Sequence, residues 1–295
     1  MSEPAAVACQ TKETAEPGRF RRAWLKFRRN KAAMVGAALI LIYFLVALLA
    51  PILYPVSPTA PNLIKSLDRP EWSEPLGKDE LGRSIMGRII WGSRVSLTIA
   101  VGVVAVGLLI GVPLGLVSGY YGGRVDFIIQ RFTDMLLAFP GFLLALALVA
   151  VLGAGFENTI VSIGISMIPI YIRLVRGCTL TVSRQTYVEA AKAVGTRDPL
   201  IIINHILPNV SVPIIIQTSL GMGMAILFAA GLGFLGVGVQ PPTPEWGTML
   251  GSGRNYIFNA PHVATFPGLA IFLAVLGFNL LGDGLRDALD PRFKL

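Results

Sequence analysis

Few residues in this chain are suited to chemistry, and their spacing argues against most of it. Asp79 and Glu80 stand side by side in L-G-K-D-E-L-G-R-S-I-M-G-R, Leu76 to Arg88. Paired acids suit a metal ion or acid–base work, but no histidine or further acid cluster accompanies them, so salt bridging or helix capping is the expected role. His205 and His262 fall in different loops, with no zinc or Ser-His-Asp constellation around either. Gly77-Lys78 is followed by Asp79 and lacks the earlier glycine of G-x-x-x-x-G-K-[ST], so there is no phosphate loop. Gly282-Asp283 could form an aspartyl pair only with Asp134, and nothing in the pattern joins the two. Cys9 and Cys178 are too few for a disulfide framework. No catalytic residue and no metal site is expected: the chain reads as something other than an enzyme.

What remains is a polar stretch, T-Y-V-E-A-A-K-A-V-G-T-R-D-P-L-I-I-I-N-H-I-L-P, Thr186 to Pro208. Thr186 and Glu189 have the spacing of a capping box. A first helix over 187–194 would stop at Gly195, which takes the left-handed turn freely. Asp198-Pro199 reads as an N-cap with proline at N1, opening a second helix. Ala190, Ala191, Val194 and Gly195 would give the first helix a small-residue face that lets another surface come close; an ordinary surface helix tucked against its own protein fits equally.

The elements that must hold this stretch are membrane spans. Of 295 residues, 54% are hydrophobic and only 14% charged, against about 25% charged in an ordinary globular domain, and mean hydropathy is +0.67. Residues 32–53 are long enough to cross a bilayer, which takes about 20. Further spans are predicted at 95–119, 133–153, 158–176, 207–236 and 263–282, six in all. Gly102, Gly107, Gly111 and Gly115 suit close helix packing. No ionisable residue lies deep in any span, which argues against an ion-coupled carrier. Gln217, Ser219 and Asn279 are polar residues within spans, best read as interhelical hydrogen-bonding groups.

Basic residues set the orientation. The net charge of +8 is explained by the membrane surface and not by nucleic acid, because Lys and Arg cluster in alternate loops. Residues 1–18 read as a disordered tail. The dense cluster from Arg19 to Lys31 puts the N-terminus inside, either as a basic amphipathic helix on anionic lipid or as a plain retention signal. Arg124, Arg131, Arg173, Arg176, Arg184, Lys192 and Arg197 then fall inside, as do Arg286, Arg292 and Lys294, so both termini and the 186–208 stretch are cytoplasmic. The outer loop Q-P-P-T-P-E-W-G-T-M-L, Gln240 to Leu250, is stiffened by Pro241, Pro242 and Pro244, and Trp246 is a ring suited to the membrane interface. The chain divides into a basic tail (1–31), a first helix with its outer loop (32–94) and a five-helix core (95–295) carrying the cytoplasmic loop 183–208.

Glu189-Ala190-Ala191, then Gly195, then Leu207-Pro208 resembles the cytoplasmic "EAA" signature of the membrane subunits of bacterial ABC importers. His205 departs from the isoleucine favoured there, but H-I-L-P-N is similar to the peptide-class branch. Leu76–Arg88 resembles the L-G-T-D-x-x-G-R-D signature of peptide and nickel importers, with Lys78 and Ser84 replacing Thr and Asp. Gln240–Leu250 and Gly282–Arg292 are similar to two further signatures of that branch. The resemblance implies an all-α, six-span type I importer permease that docks an ATPase through Glu189, Ala190, Ala191, Gly195, Leu207 and Pro208, with Pro241, Pro242 and Trp246 at the outer mouth in an anchoring or gating role. It also implies a homologous second permease, two ATP-binding-cassette domains that carry the ATP and Mg, and an extracytoplasmic binding protein. The cargo would be a di- or oligopeptide or glutathione, with nickel or another small solute as the alternative. The rivals from other classes are an ion-coupled carrier and a stand-alone channel.

Overall fold

The computed structural model describes residues 19–289, with side chains from Trp24 onward. The tail 1–18 with Cys9, the Phe20 side chain, Arg292 and Lys294 lie outside the described residues. The described residues form helices throughout: α1 (Arg19–Arg29), α2 (Lys31–Leu53), α3 (Ile85–Tyr121), α4 (Gly123–Leu137), α5 (Gly141–Leu152), α6 (Phe156–Val182), α7 (Thr186–Ala193), α8 (Asp198–Ile201), α9 (Leu207–Phe234), α10 (Trp246–Gly253) and α11 (His262–Leu289). Five runs are long and apolar enough to cross a membrane: α2, α3, α6, Asp198–Phe234 and α11. The count becomes six when α4 and α5 are taken as one broken span.

That broken span corrects the expected continuous helix over 133–153. The chain bends by 85° between α4 and α5, and α5 alone has 12 residues, about 18 Å against a hydrocarbon core of about 30 Å. Pro140 stands before α5 with extended ψ, since its ring disfavours continuing a helix through it. A second correction concerns α3, which starts at Ile85, ten residues before the predicted span and inside the segment taken as outer loop. Ser84 caps it, accepting from the Gly87 amide at 3.3 Å and donating to Glu74 at 2.7 Å. The polar residues that hid this start are paired inside the protein, except that Arg88 Nη1 is buried without a hydrogen-bond partner. Arg83 holds Asp79 at 2.7 Å and Glu80 at 3.1 Å, and Arg88 reaches Asp79 at 3.4 Å, so the acid pair makes the salt bridges expected of it.

α3 and α6 form the tightest pair. A Cβ on Gly111 would lie 2.6 Å from Tyr171 Cβ, one on Gly115 2.8 Å from Val175 Cβ, and one on Gly119 2.7 Å from Thr179 Cβ. Glycine every four residues on α3 thus meets side chains every four residues on α6, the small-residue packing expected in a medium that gives little hydrophobic drive between helices. α4 is tied to the same pair by ions: Arg176 donates twice to Asp126, at 2.5 and 2.6 Å, and Arg173 to Asp134 at 2.7 Å. α2 packs on α11, where a Cβ on Gly36 would stand 2.7 Å from Leu280 Cβ. α1 is helical and buries Phe27 against Ala33 and Ala288. Asn30 joins α1 to α2, capping the Ala33 amide at 3.1 Å and donating to Asp287 at 3.1 Å. Ser219 on α9 donates to the Phe278 carbonyl on α11 at 3.0 Å, the interhelical role expected of it.

Candidate functional site

The stretch between α6 and α9 folds into an elbow of two arms. α7 is placed by burial of Val188 and Ala191, three residues apart, on a small core with Ile201, Ile206, Leu116, Val175 and Val210. That burial sets the rotation of the helix and starts it one residue before the expected position. Gln185 is the N-cap and offers only its backbone. Thr186 is therefore the first helical residue, and the predicted capping box with Glu189 does not form. The Glu189 amide bonds to the Gln185 carbonyl at 3.2 Å. Gly195 does stop the helix, at φ +81°: its amide reaches the Lys192 carbonyl at 3.0 Å and the Thr196 amide the Ala191 carbonyl at 3.1 Å, a Schellman closure.

The small-residue face is split. Ala191 turns inward, while Glu189, Ala190, Val194 and Gly195 are exposed, Val194 at 80%. A Cβ on Gly195 would meet nothing within 4 Å. The second arm also begins a residue early: Arg197 is the N-cap and Pro199 lies in the first turn. Asp198 caps nothing and instead accepts a hydrogen bond from the Tyr120 hydroxyl at 2.7 Å. Nor is the second arm a separate helix. Ile202–Ile206 is one π turn, closed by the Leu207 amide on the Ile202 carbonyl, and the chain runs through it into α9. The widened turn lets the helix pass Pro208, which has no amide to donate, and Asn209 donates to the His205 carbonyl at 2.7 Å. Leu207 is half-buried and Pro208 exposed.

On the opposite side, Pro241 and Pro242 are exposed, but Trp246 is fully buried. The interfacial ring expected at this position is therefore a core residue. Its indole N–H donates to the Ile89 carbonyl on α3 at 3.1 Å, and its ring meets Tyr43 edge-on at 5.4 Å. Beside it Glu245, 2% exposed, caps α10 by accepting from the Gly247 and Thr248 amides at 2.9 and 2.8 Å and from Ser96 on α3 at 3.2 Å. Burial pushes this carboxyl above the ordinary carboxylate range, and the donors around it only partly offset that. A cleft of about 330 Å³ opens next to it, lined by Phe234, Gln240, Pro241, Thr248, Arg254 and Asn255 among others.

Sequence reasoning missed Tyr120 and Glu245. Tyr120 closes a glycine-spaced span just ahead of Gly122-Gly123, which could have marked it as the last turn of a packed helix. Glu245 gave less signal, because glutamate is not among the favoured N-cap residues.

A match to the family described as binding-protein-dependent transport system inner membrane component covers residues 111–295, and one to the N-terminal TM domain of oligopeptide transport permease C covers residues 18–70. The chain is 46% identical over 275 residues to the dipeptide transport system permease protein DppC of Alkalihalophilus pseudofirmus, covering 93% of this chain and 90% of that one. It is 47% identical over 279 residues to the glutathione transport system permease protein GsiD of Pectobacterium atrosepticum, covering 93% and 92%. The fold is similar to that of the MetNI methionine ABC transporter in an inward-facing conformation, with TM-score 0.57 at 17% identity over 69% of this chain and 97% of that one. With its apolar helices, the chain is a multi-pass protein of the inner membrane. It belongs to the binding-protein-dependent transport system inner membrane components, the permease subunits of ABC importers.

Proposed function

We propose that this chain forms half of a translocation pathway for short peptides, dipeptide-, oligopeptide- or glutathione-like, and is driven by separate ATPase subunits. A homologous permease would supply the other half, two ATP-binding-cassette domains would bind ATP and Mg, and an extracytoplasmic binding protein would deliver cargo. Both termini and the elbow would face the cytoplasm, in line with the basic residues of α1, Arg184, Lys192 and Arg197. The relatives named for dipeptide and glutathione transport support the cargo class.

The observation that carries the reading is the elbow. One side of α7 is packed on its own core through Val188 and Ala191, while Ala190, Val194 and Gly195 stand outside it. An aliphatic side chain held out beside a glycine turn is a contact awaiting a partner surface. Closure of the ATPase would push this surface, provided the partner binds the two permease states with different free energies. Glu189 is exposed at the same surface and is placed to meet the partner, while Ala191 supports the helix from behind.

The test is the reconstituted importer with its partner subunits and binding protein. Gly195→Asp and Glu189→Lys should assemble and insert normally yet hydrolyse ATP without matching uptake. Uptake at the wild-type rate in both would remove the docking assignment. Purified chain alone in liposomes that moved solute uphill without nucleotide would remove the importer reading. Competition by dipeptides, glutathione and nickel against labelled peptide identifies the cargo.

A further inference from the structure

The elbow runs into one neighbouring helix without a break and is joined to the other only by a turn. α8 runs through the π turn into α9, so a push on α8 reaches α9 along the backbone. The tightly packed pair α3 and α6 is linked less rigidly: α6 joins α7 through the turn at Ser183–Gln185, and α3 has no direct chain connection to the elbow. Beyond apolar contacts through the Val188–Ile201 core, which resist sliding weakly, α3 meets the elbow at one residue. Tyr120, half-buried in the last turn of α3, donates its hydroxyl to Asp198 on α8 at 2.7 Å. Its ring lies under the Lys192 ammonium of α7, 4.7 Å from the centroid. Both arms therefore converge on one side chain, one through a charge-assisted hydrogen bond and one through a cation–π contact. The neighbouring Gly119 begins the glycine row that locks α3 to α6.

We propose that Tyr120 is the positioning residue that makes the α3–α6 pair follow the elbow, so that both parts of the bundle swing together with α9. The inference rests on the docking role of the elbow proposed above. Without the tie, the elbow would still move and α9 with it, but α3 and α6 would lag, and ATP would be spent on an incomplete change of access. The requirement is directional. Tyr120→Phe keeps the ring and the lysine contact but loses the donor; Asp198→Ala loses the acceptor; Asp198→Asn keeps an oxygen that can accept.

The experiment is the full importer in proteoliposomes, with solute uptake and ATP hydrolysis measured on the same preparation and assembly checked by co-purification of the ATPase. Tyr120→Phe and Asp198→Ala should each lower solute moved per ATP by on the order of tenfold, the effect on an equilibrium of losing one hydrogen bond to a charged group at the weak end of its range. Asp198→Asn should recover most of the ratio. The double variant Tyr120→Phe/Asp198→Ala should be no worse than the poorer single, because both remove the same bond. A wild-type ratio in Tyr120→Phe, losses that multiply in the double variant, or uptake and hydrolysis falling in proportion as a folding defect would produce, would each overturn the proposal. Gly195→Asp run alongside separates the two claims. If it uncouples and Tyr120→Phe does not, only the role of Tyr120 fails; if neither uncouples, the docking role fails first.

Discussion

Glu245→Ala is the substitution that most sharply tests how the α10 module is held. The carboxylate serves the Gly247 and Thr248 amides and the Ser96 hydroxyl; the Thr248 hydroxyl has a second acceptor in the Val239 carbonyl at 2.8 Å and survives its loss. Removing the cap costs about 1 kcal/mol. The second amide and the Ser96 O–H are then left without an acceptor away from water, at about 1–3 kcal/mol each, although the Ser96 oxygen still accepts from the Trp246 amide at 3.4 Å. Relief of a buried charge offsets part of this, leaving a net loss of roughly 3 kcal/mol. By the scaling of large soluble domains, that lowers the melting temperature by about 6–12 °C. Glu245→Gln keeps one accepting oxygen and should lose about half as much. Thermal unfolding of the purified protein in lipid nanodiscs, followed by tryptophan fluorescence, reads both. The pH dependence supplies a second arm. Burial raises this carboxyl above its ordinary 4.5, so the folded chain holds the proton more tightly than the unfolded one. Its stabilising contribution is complete below 4.5 and is lost as pH rises through the folded value. The wild-type melting temperature should therefore decline with rising pH above 4.5 more steeply than that of Glu245→Gln. An alanine variant that melts within a degree of wild type, or identical pH slopes, would refute the reasoning.

Three further outcomes follow from the same contacts. Gly111→Val would place its Cβ 2.6 Å from Tyr171 Cβ and 2.9 Å from the Ile168 carbonyl. A backbone neighbour cannot step aside, so the cost should exceed the usual 1–3 kcal/mol of overpacking, roughly, and show as a large drop in melting temperature. Trp246→Phe loses the bond to the Ile89 carbonyl for about 1 kcal/mol, whereas Trp246→Ala should cost about 3–5 kcal/mol on the same assay. Gly195→Ala meets no atom but must hold φ at +81°, a strain of about 1–2 kcal/mol. Faster hydrogen exchange at the Gly195 and Thr196 amides should report it, with Gly195→Asn milder.

The features legible in the residues were those governed by local chemistry. Apolar length marked the spans, Gly107, Gly111 and Gly115 marked a close helix contact without naming its partner, and Gly195 marked the end of α7. What escaped depends on partners far along the chain. Arg88 reads as loop, yet it is buried in the first turn of α3 because Asp79 folds back to within 3.4 Å of it. Trp246 has the amphipathic ring of an interface residue, but Tyr43 and the Ile89 carbonyl supply inside the protein what headgroups and water supply outside. Thr186 and Asp198 both carry good capping side chains. In each case the position of the helix was decided by burial of Val188, Ala191 and Ile201, whose apolar contacts outweigh a cap worth about 1 kcal/mol.

Proline acts differently in α3 and α6 than at the α4–α5 break, and the difference lies in what stands alongside. Pro113 and Pro169 fall inside α3 and α6, yet neither ends its helix. Each leaves one carbonyl of the preceding turn without its usual amide, a loss that would normally bend or break the rod. Here the glycine row brackets both positions: Gly111 and Gly115 bring α3 within contact of Ile168, Tyr171 and Ile172 on either side of Pro169. Bending one helix there would pull both apart over several turns. At Pro140 the residues from Asp134 to Pro140 are largely exposed, no such row is present, and the chain turns by 85°. At these three prolines, packing rather than the imino acid decides whether the helix continues. The unbroken pair, α3 and α6, is the one that takes Trp246 and Glu245 near one end of α3 and has Tyr120 at the other. At 37 residues, about 55 Å, α3 is longer than the hydrocarbon core is thick, so it is the element able to hold the α10 module at one end and the elbow at the other.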